Sequence, residues 1–74
     1  ELERARRLYA ALDQLPNEKR ATLLLHDHEG LDVAEVAAIS GAGELTVRSR
    51  LRDAHKKLAD LLREDPLFDP EVPV

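Results

Sequence analysis

Apolar positions recur along this chain at spacings of three and four, the period of helices buried on one side. The first run places Ala5, Leu8, Leu12 and Leu15 on one stripe with Arg4, Arg7 and Asp13 away from it, and predicts a helix from Leu2 to Leu15. Pro16 cannot prolong that helix without losing a hydrogen bond, yet it suits the first turn of a new one. A second helix is therefore expected from Pro16 to His28, with Ala21, Leu24 and Leu25 inward and Gly30 as its left-handed stop. Asp32, followed three positions later by Glu35, has the form of a capping box and opens a third helix. Its buried side is read as Val33, Val36, Ala37 and Ile39. "SGAGE" then sets two glycines within three residues, which permits the tight reversal of a helix-turn-helix. The fourth and longest helix runs from Glu44 to about Arg63, with Val47, Leu51, Ala54, Leu58 and Leu61 in one sector.

The last stretch, "EDPLFDPEVPV", carries three prolines and four acids and cannot be helical throughout. The expected fold class is therefore all-α: a small four-helix domain over residues 1–63 with a C-terminal helix-turn-helix, and an extended or disordered acidic tail over residues 64–74. Composition agrees. With 74 residues, one Tyr, one Phe and no Trp, the chain holds one small core of Leu, Val, Ile and Ala, a set that favours helices over sheets. There is no cysteine, so disulfides and thiolate zinc sites are excluded, and a reducing cytosol is compatible. No apolar run approaches the roughly 20 residues that cross a bilayer, so no membrane partner is expected. The start, "ELERARRLYA", has neither a signal-peptide core nor an initiating Met, and the chain is read as a fragment of something longer.

Charge changes the picture more. The chain has a formal net charge of −4, yet five of its 11 Lys and Arg residues lie between Arg48 and Lys57, against the single acid Asp53. Residues 1–63 hold 11 bases and 11 acids, so the acidic balance belongs to the tail. On the fourth helix Leu45, Arg48, Ser49, Arg52 and Lys56 fall nearly opposite the apolar sector. A helix presented by a short helix and a glycine turn, with a cationic outward face, has the geometry of a recognition helix in a DNA major groove. Arg pairs bidentately with guanine, Ser meets a base edge or phosphate, and Lys neutralises the backbone. A helix that merely solvates its bases has the same composition, and periodicity does not separate the two.

Here the residues resemble region four of the extracytoplasmic-function sigma factors, from Ala11 to Leu62 without gaps. The carriers are Leu15, Pro16, Arg20, Leu23–Leu25, "EGL" at Glu29–Leu31, Glu35, Ala37, "TVRSRL" at Thr46–Leu51, Ala54, Lys56, Lys57 and Leu58. The resemblance implies a cytoplasmic, non-enzymatic domain of a bacterial transcription initiation factor, working without cofactor. Its implied partners are promoter DNA at the minus-35 element, the beta flap of RNA polymerase through the apolar groove of the first helices, and an anti-sigma factor. It implies Arg48, Ser49 and Arg52 as base-facing residues and Thr46, Arg50 and Lys56 as contacts to the DNA backbone.

Four positions depart from that pattern. Asp53 replaces a usual Arg; it is expected to accept from a cytosine amino group or to pair with Arg50 or Lys57. Leu45 replaces a small Gly, Gly43 replaces a Ser cap, and Ser40 replaces a core aliphatic. Together these departures point to an altered or weakened promoter preference, chiefly through Asp53 and Leu45, and not to a lost fold. The alternative is a sigma-like regulatory or protein-interaction module with weakened DNA binding, joining polymerase, an anti-sigma helix or itself. The acidic tail either competes with DNA for the cationic helix or keeps the fragment soluble. A response-regulator helix-turn-helix shares the "TVRSRL"-like helix but leaves "LPNEKR" without a role.

Other chemistry finds little support. His26 and His28 lie two apart on a helix and point about 200° away from each other, so they do not share an ion, and His55 is remote in sequence. Asp27 and Glu29 are a carboxylate pair without a pocket or nucleophile. Tyr9 is expected to pack against the second helix. Arg20 either crosses to Glu35 or contacts a phosphate.

Overall fold

The computed structural model describes residues 1–66 and shows α1 (Leu2–Asp13), α2 (Asn17–Leu23), α3 (Val33–Ser40) and α4 (Glu44–Arg63), with a π-helical turn, Leu24–His28, continuing α2. Among the described residues there is no strand, and the all-helical expectation holds. Residues 67–74, most of the expected acidic tail, lie outside the described residues.

α1 ends two residues earlier than its apolar stripe suggests. Proline disfavours helical backbone at the residue before it, so Pro16 expels Leu15 from the helix. The chain closes with tight turns instead, Gln14 N–H donating to the Ala11 carbonyl and Leu15 N–H to that of Leu12, both at 3.0 Å. Leu15 still ends in the core, 3 % exposed. Pro16 itself is the extended residue ahead of α2 (ψ 146°), and its carbonyl accepts from Arg20 N–H at 2.9 Å.

α2 differs from expectation in phase. Its buried residues are Thr22 and Leu23, whereas Ala21 and Leu24 are exposed and Leu25 is partly buried. Thr22, 1 % exposed, satisfies its hydroxyl by donating to the Glu18 carbonyl at 2.7 Å, so a polar residue enters the core without an orphaned group. The π-helical turn, with Glu29 N–H reaching the Leu24 carbonyl at 3.0 Å, then adds a residue to the turn and shifts the faces that follow. Gly30 (φ 77°) ends it in the left-handed conformation, as expected.

α3 opens with the expected capping box: Asp32 Oδ1 accepts from Glu35 N–H at 2.8 Å, and Glu35 Oε1 from Asp32 N–H at 3.1 Å. Gly41 (φ 67°) closes it and lets the chain reverse. Gly43 has ordinary extended angles and stands as the N-cap of α4 without a side-chain acceptor. Val36 and Ala37 are buried and Val33 partly so, but Ile39 is 63 % exposed, against expectation. It lies roughly 100° round the helix from the centre of the buried arc, away from the side of α3 that packs on Val47 and Leu51 of α4.

α4 is the spine. Val47 and Leu51 join Val36 and Ala37 in one buried cluster, flanked by Leu25, Leu31, Val33 and Ala42. Ala54 joins Leu12, Leu15 and Leu23 in the other, with Leu8 and Leu58 packed against it. The far end is fastened by Arg7, which donates to Asp65 Oδ1 at 2.7 Å and to Glu3 Oε1 at 3.0 Å. Those two bonds, Asp65 first, raise the Arg7 pKa above its ordinary value. Burying one side of α4 along its first three turns fixes which side faces outward.

Candidate nucleic-acid interface

Arg48 and Arg52 stand on the outward side of α4 with their side chains 63 % and 75 % exposed. Arg52 Nη2 donates to Ser49 Oγ at 3.2 Å, so the hydroxyl and the guanidinium are already held together. Glu44, one turn before Arg48, has its carboxylate 3.8 Å away. Both contacts are local and solvent-exposed, worth a few tenths of a kcal/mol each, and both guanidinium groups keep donors free to turn toward a ligand. Thr46 and Lys56 are exposed on the same helix, and Leu45 projects almost wholly into solvent.

Arg50 stands apart from this group. It lies on the inner flank of α4, its side chain 23 % exposed, and pairs with Glu18 of α2 at 3.1 Å. The cation is committed to holding two helices together, with one edge still open to solvent. Asp53 is placed between Arg52, at 3.8 Å, and Lys19 of α2, at 3.6 Å. The expected partners Arg50 and Lys57 are thereby replaced: Asp53 lies on the side of α4 that faces Lys19. With a cation on either hand, its negative field toward the outward face is partly cancelled.

Other sequence expectations meet different partners. Arg20 does not cross to Glu35; it donates to Asn17 Oδ1 at 2.8 Å and stands 3.7 Å from Asp13, because α2 carries it toward the end of α1. Tyr9 is largely exposed and lines, with Leu8, Leu12, Leu24, His28 and Leu58, a groove of about 490 Å³ between α1, the π-helical turn and α4. His55, remote in sequence, comes back from α4 to Asp27. That carboxylate takes His26 Nδ1 on one oxygen at 2.7 Å and His55 Nε2 on the other at 2.5 Å. Burial acts to raise the Asp27 pKa, but the hydrogen bonds from His26 and His55 and their charge outweigh it and hold the carboxyl below its ordinary value. Among the described residues no group of three or more ligating side chains is placed to hold a metal ion, and no helix is long and apolar enough to cross a membrane.

The cross-helix links Asp27–His55, Lys19–Asp53 and Glu18–Arg50 have no local sequence signal. Each joins residues on the polar faces of two helices, and only the packing of α2 and the π-helical turn on α4 brings them together.

Comparison with known proteins places residues 5–58 within the family described as sigma-70, region 4. Over 55 residues, 74 % of the chain, it is 47 % identical to the ECF RNA polymerase sigma factor SigE of Mycolicibacterium smegmatis. Over 60 residues, 81 % of the chain, it is 41 % identical to EcfG of Rhodopseudomonas palustris, and over 62 residues, 84 % of the chain, 39 % identical to SigM of Mycobacterium tuberculosis, both ECF RNA polymerase sigma factors. The matched stretch spans 21 % of the first of these relatives, 33 % of the second and 32 % of the third. No solved structure matches significantly.

Proposed function

Since the chain belongs to the sigma-70 region 4 family, a non-enzymatic transcription-factor domain, we propose that it positions RNA polymerase at a promoter by reading a minus-35-type DNA element with the outward face of α4. One observation carries the reading. α4 buries Val47, Leu51 and Ala54 and thereby holds Arg48, Ser49 and Arg52 outward as a group, behind a short capped helix and a left-handed glycine turn. That is the form in which a helix enters a major groove and sets its first turns against base edges. Arg48, Ser49 and Arg52 are the base-reading residues, while Thr46 and Lys56 contact phosphates. Arg50 reaches the backbone through the open edge left by its pair with Glu18. The unit that docks is residues 1–63, followed by the acidic residues 64–74. The whole factor acts in the cytoplasm, where polymerase and promoter are.

Polymerase docks on the opposite side. The groove between α1, the π-helical turn and α4 is apolar in the middle and edged by Asp27 and His28, the form of seat that takes an amphipathic helix. An anti-sigma factor acts by covering the same groove or the cationic face. The groove also supports the second reading, a regulatory module that binds proteins and not DNA, since it exists whether or not α4 reads bases.

Selection of duplexes from a random pool, followed by titration of the winners with wild-type, Arg48→Ala and Arg52→Ala chains, tests the first reading. Each substitution is expected to cost about 1 to 3 kcal/mol and to relax preference at its own base pair. No enriched sequence, with retained binding to polymerase, would establish the protein-binding module in its place.

A further inference from the structure

Leu45 is the most exposed large apolar side chain among the described residues, at 84 %, and belongs to neither core cluster. It stands in the first turn of α4, three and four positions ahead of Arg48 and Ser49, so the three are neighbours on the helix surface. At 100° per residue its direction falls between those two and close to that of Arg52.

A single exposed leucine is ordinary on a protein surface. Its place on α4 gives this one a use. Residues at the N-terminal end of a recognition helix are those that meet base edges. Arg48 and Arg52, one and two turns further along the same face, draw that face to phosphates and bring the leucine with them. In the major groove, thymine alone offers an apolar group, its C5-methyl, and an aliphatic side chain has no donor or acceptor with which to read any other edge. Against cytosine it would cover an amino group, and against guanine two acceptors, stripping their water without replacing the hydrogen bonds.

Resting on the reading of α4 as the DNA-contacting helix, we propose that Leu45 is a specificity-determining residue that packs on the C5-methyl of a thymine and so fixes a T·A pair at one position of the bound element. Its side chain stays outside the core, so the role is separable from folding.

Deoxyuridine differs from thymidine only by that methyl. Each thymine of a duplex selected by the wild-type chain is replaced singly, and affinities are measured for the wild-type and Leu45→Ala chains, with thermal melting to show that the variant is folded. One replacement is expected to weaken wild-type binding about fourfold, the factor that accompanies one methyl-sized group leaving an apolar contact. Leu45→Ala is expected to ignore that replacement while keeping the guanine preferences of Arg48 and Arg52. A wild-type chain that selects a sequence yet responds to no deoxyuridine, or a methyl dependence unchanged in Leu45→Ala, overturns the assignment and leaves the DNA-binding reading standing. A wild-type chain that selects no sequence overturns both.

Discussion

Asp27 on the π-helical turn and His55 on α4, 28 residues apart in sequence, are hydrogen-bonded at 2.5 Å. The pair ties the rim of the apolar groove to the middle of the helix proposed to read DNA, and His26 completes it from the same side as Asp27.

The pair predicts an acid-sensitive contribution to stability. A carboxyl whose pKa is lowered on folding binds fewer protons in the native state than in the unfolded chain. Its stabilisation is therefore complete above the unfolded value and is lost as pH falls through the lowered native one. Urea midpoints of the wild-type and Asp27→Asn chains should differ fully at pH 5 to 6 and converge below about pH 4. An offset that stays constant down to pH 3 would show that the ionised carboxylate is not what matters.

Leu51 and Leu45 make a paired test of which side of α4 is structural. Leu51 is buried beside Val36 and Val47, and Leu51→Ala should cost roughly 2 to 5 kcal/mol through lost transfer energy and a residual cavity. That is a large share of what a domain of this size has, about 5 kcal/mol or a little more. Leu45→Ala should leave the melting temperature almost unchanged. Chemical denaturation of the two variants checks both.

Asp53 is held between Lys19 and Arg52, and its carboxylate lowers the field that Arg52 presents to DNA. Asp53→Asn is expected to raise DNA affinity several-fold at low salt, with the gain shrinking as salt rises, and to cost under about 1 kcal/mol of stability because both pairs are exposed. Anisotropy titrations at two salt concentrations measure it; a loss of affinity would mean that Asp53 itself accepts from a base.

Asp32→Ala removes the capping box of α3 and should cost about 1 kcal/mol, with Gly41 and the turn into α4 retained. Melting temperature together with the far-ultraviolet helix signal reports it. No change would mean that α3 is held by Val36 and Ala37 alone.

Local chemistry is what the sequence made readable. The capping box at Asp32 and Glu35, the left-handed Gly30, and the stripe of Val47, Leu51 and Ala54 each depend on neighbours within one or two turns. The helical membership of Leu15 and the inward placement of Ala21, Leu24 and Ile39 did not hold, because each is settled elsewhere. Pro16 ejects Leu15 from α1, a backbone carbonyl satisfies Thr22 and lets it take the inward place in α2, and Ile39 lies on the side of α3 turned away from the cluster with α4. The outward group Arg48, Ser49 and Arg52 was readable for the same reason as the core, being its complement on one helix. Arg50 and Asp53 were not, because their partners Glu18 and Lys19 come from α2.

Which face of the molecule meets DNA is read most directly by amide chemical-shift mapping. Addition of a selected duplex at low salt should shift the amides of residues 45–49, 52 and 56 and fade as salt releases the complex, while Leu8, Tyr9 and His28 around the groove stay in place. Shifts gathered at the groove and absent from the outward side of α4 would contradict the reading of α4 as the DNA-contacting helix.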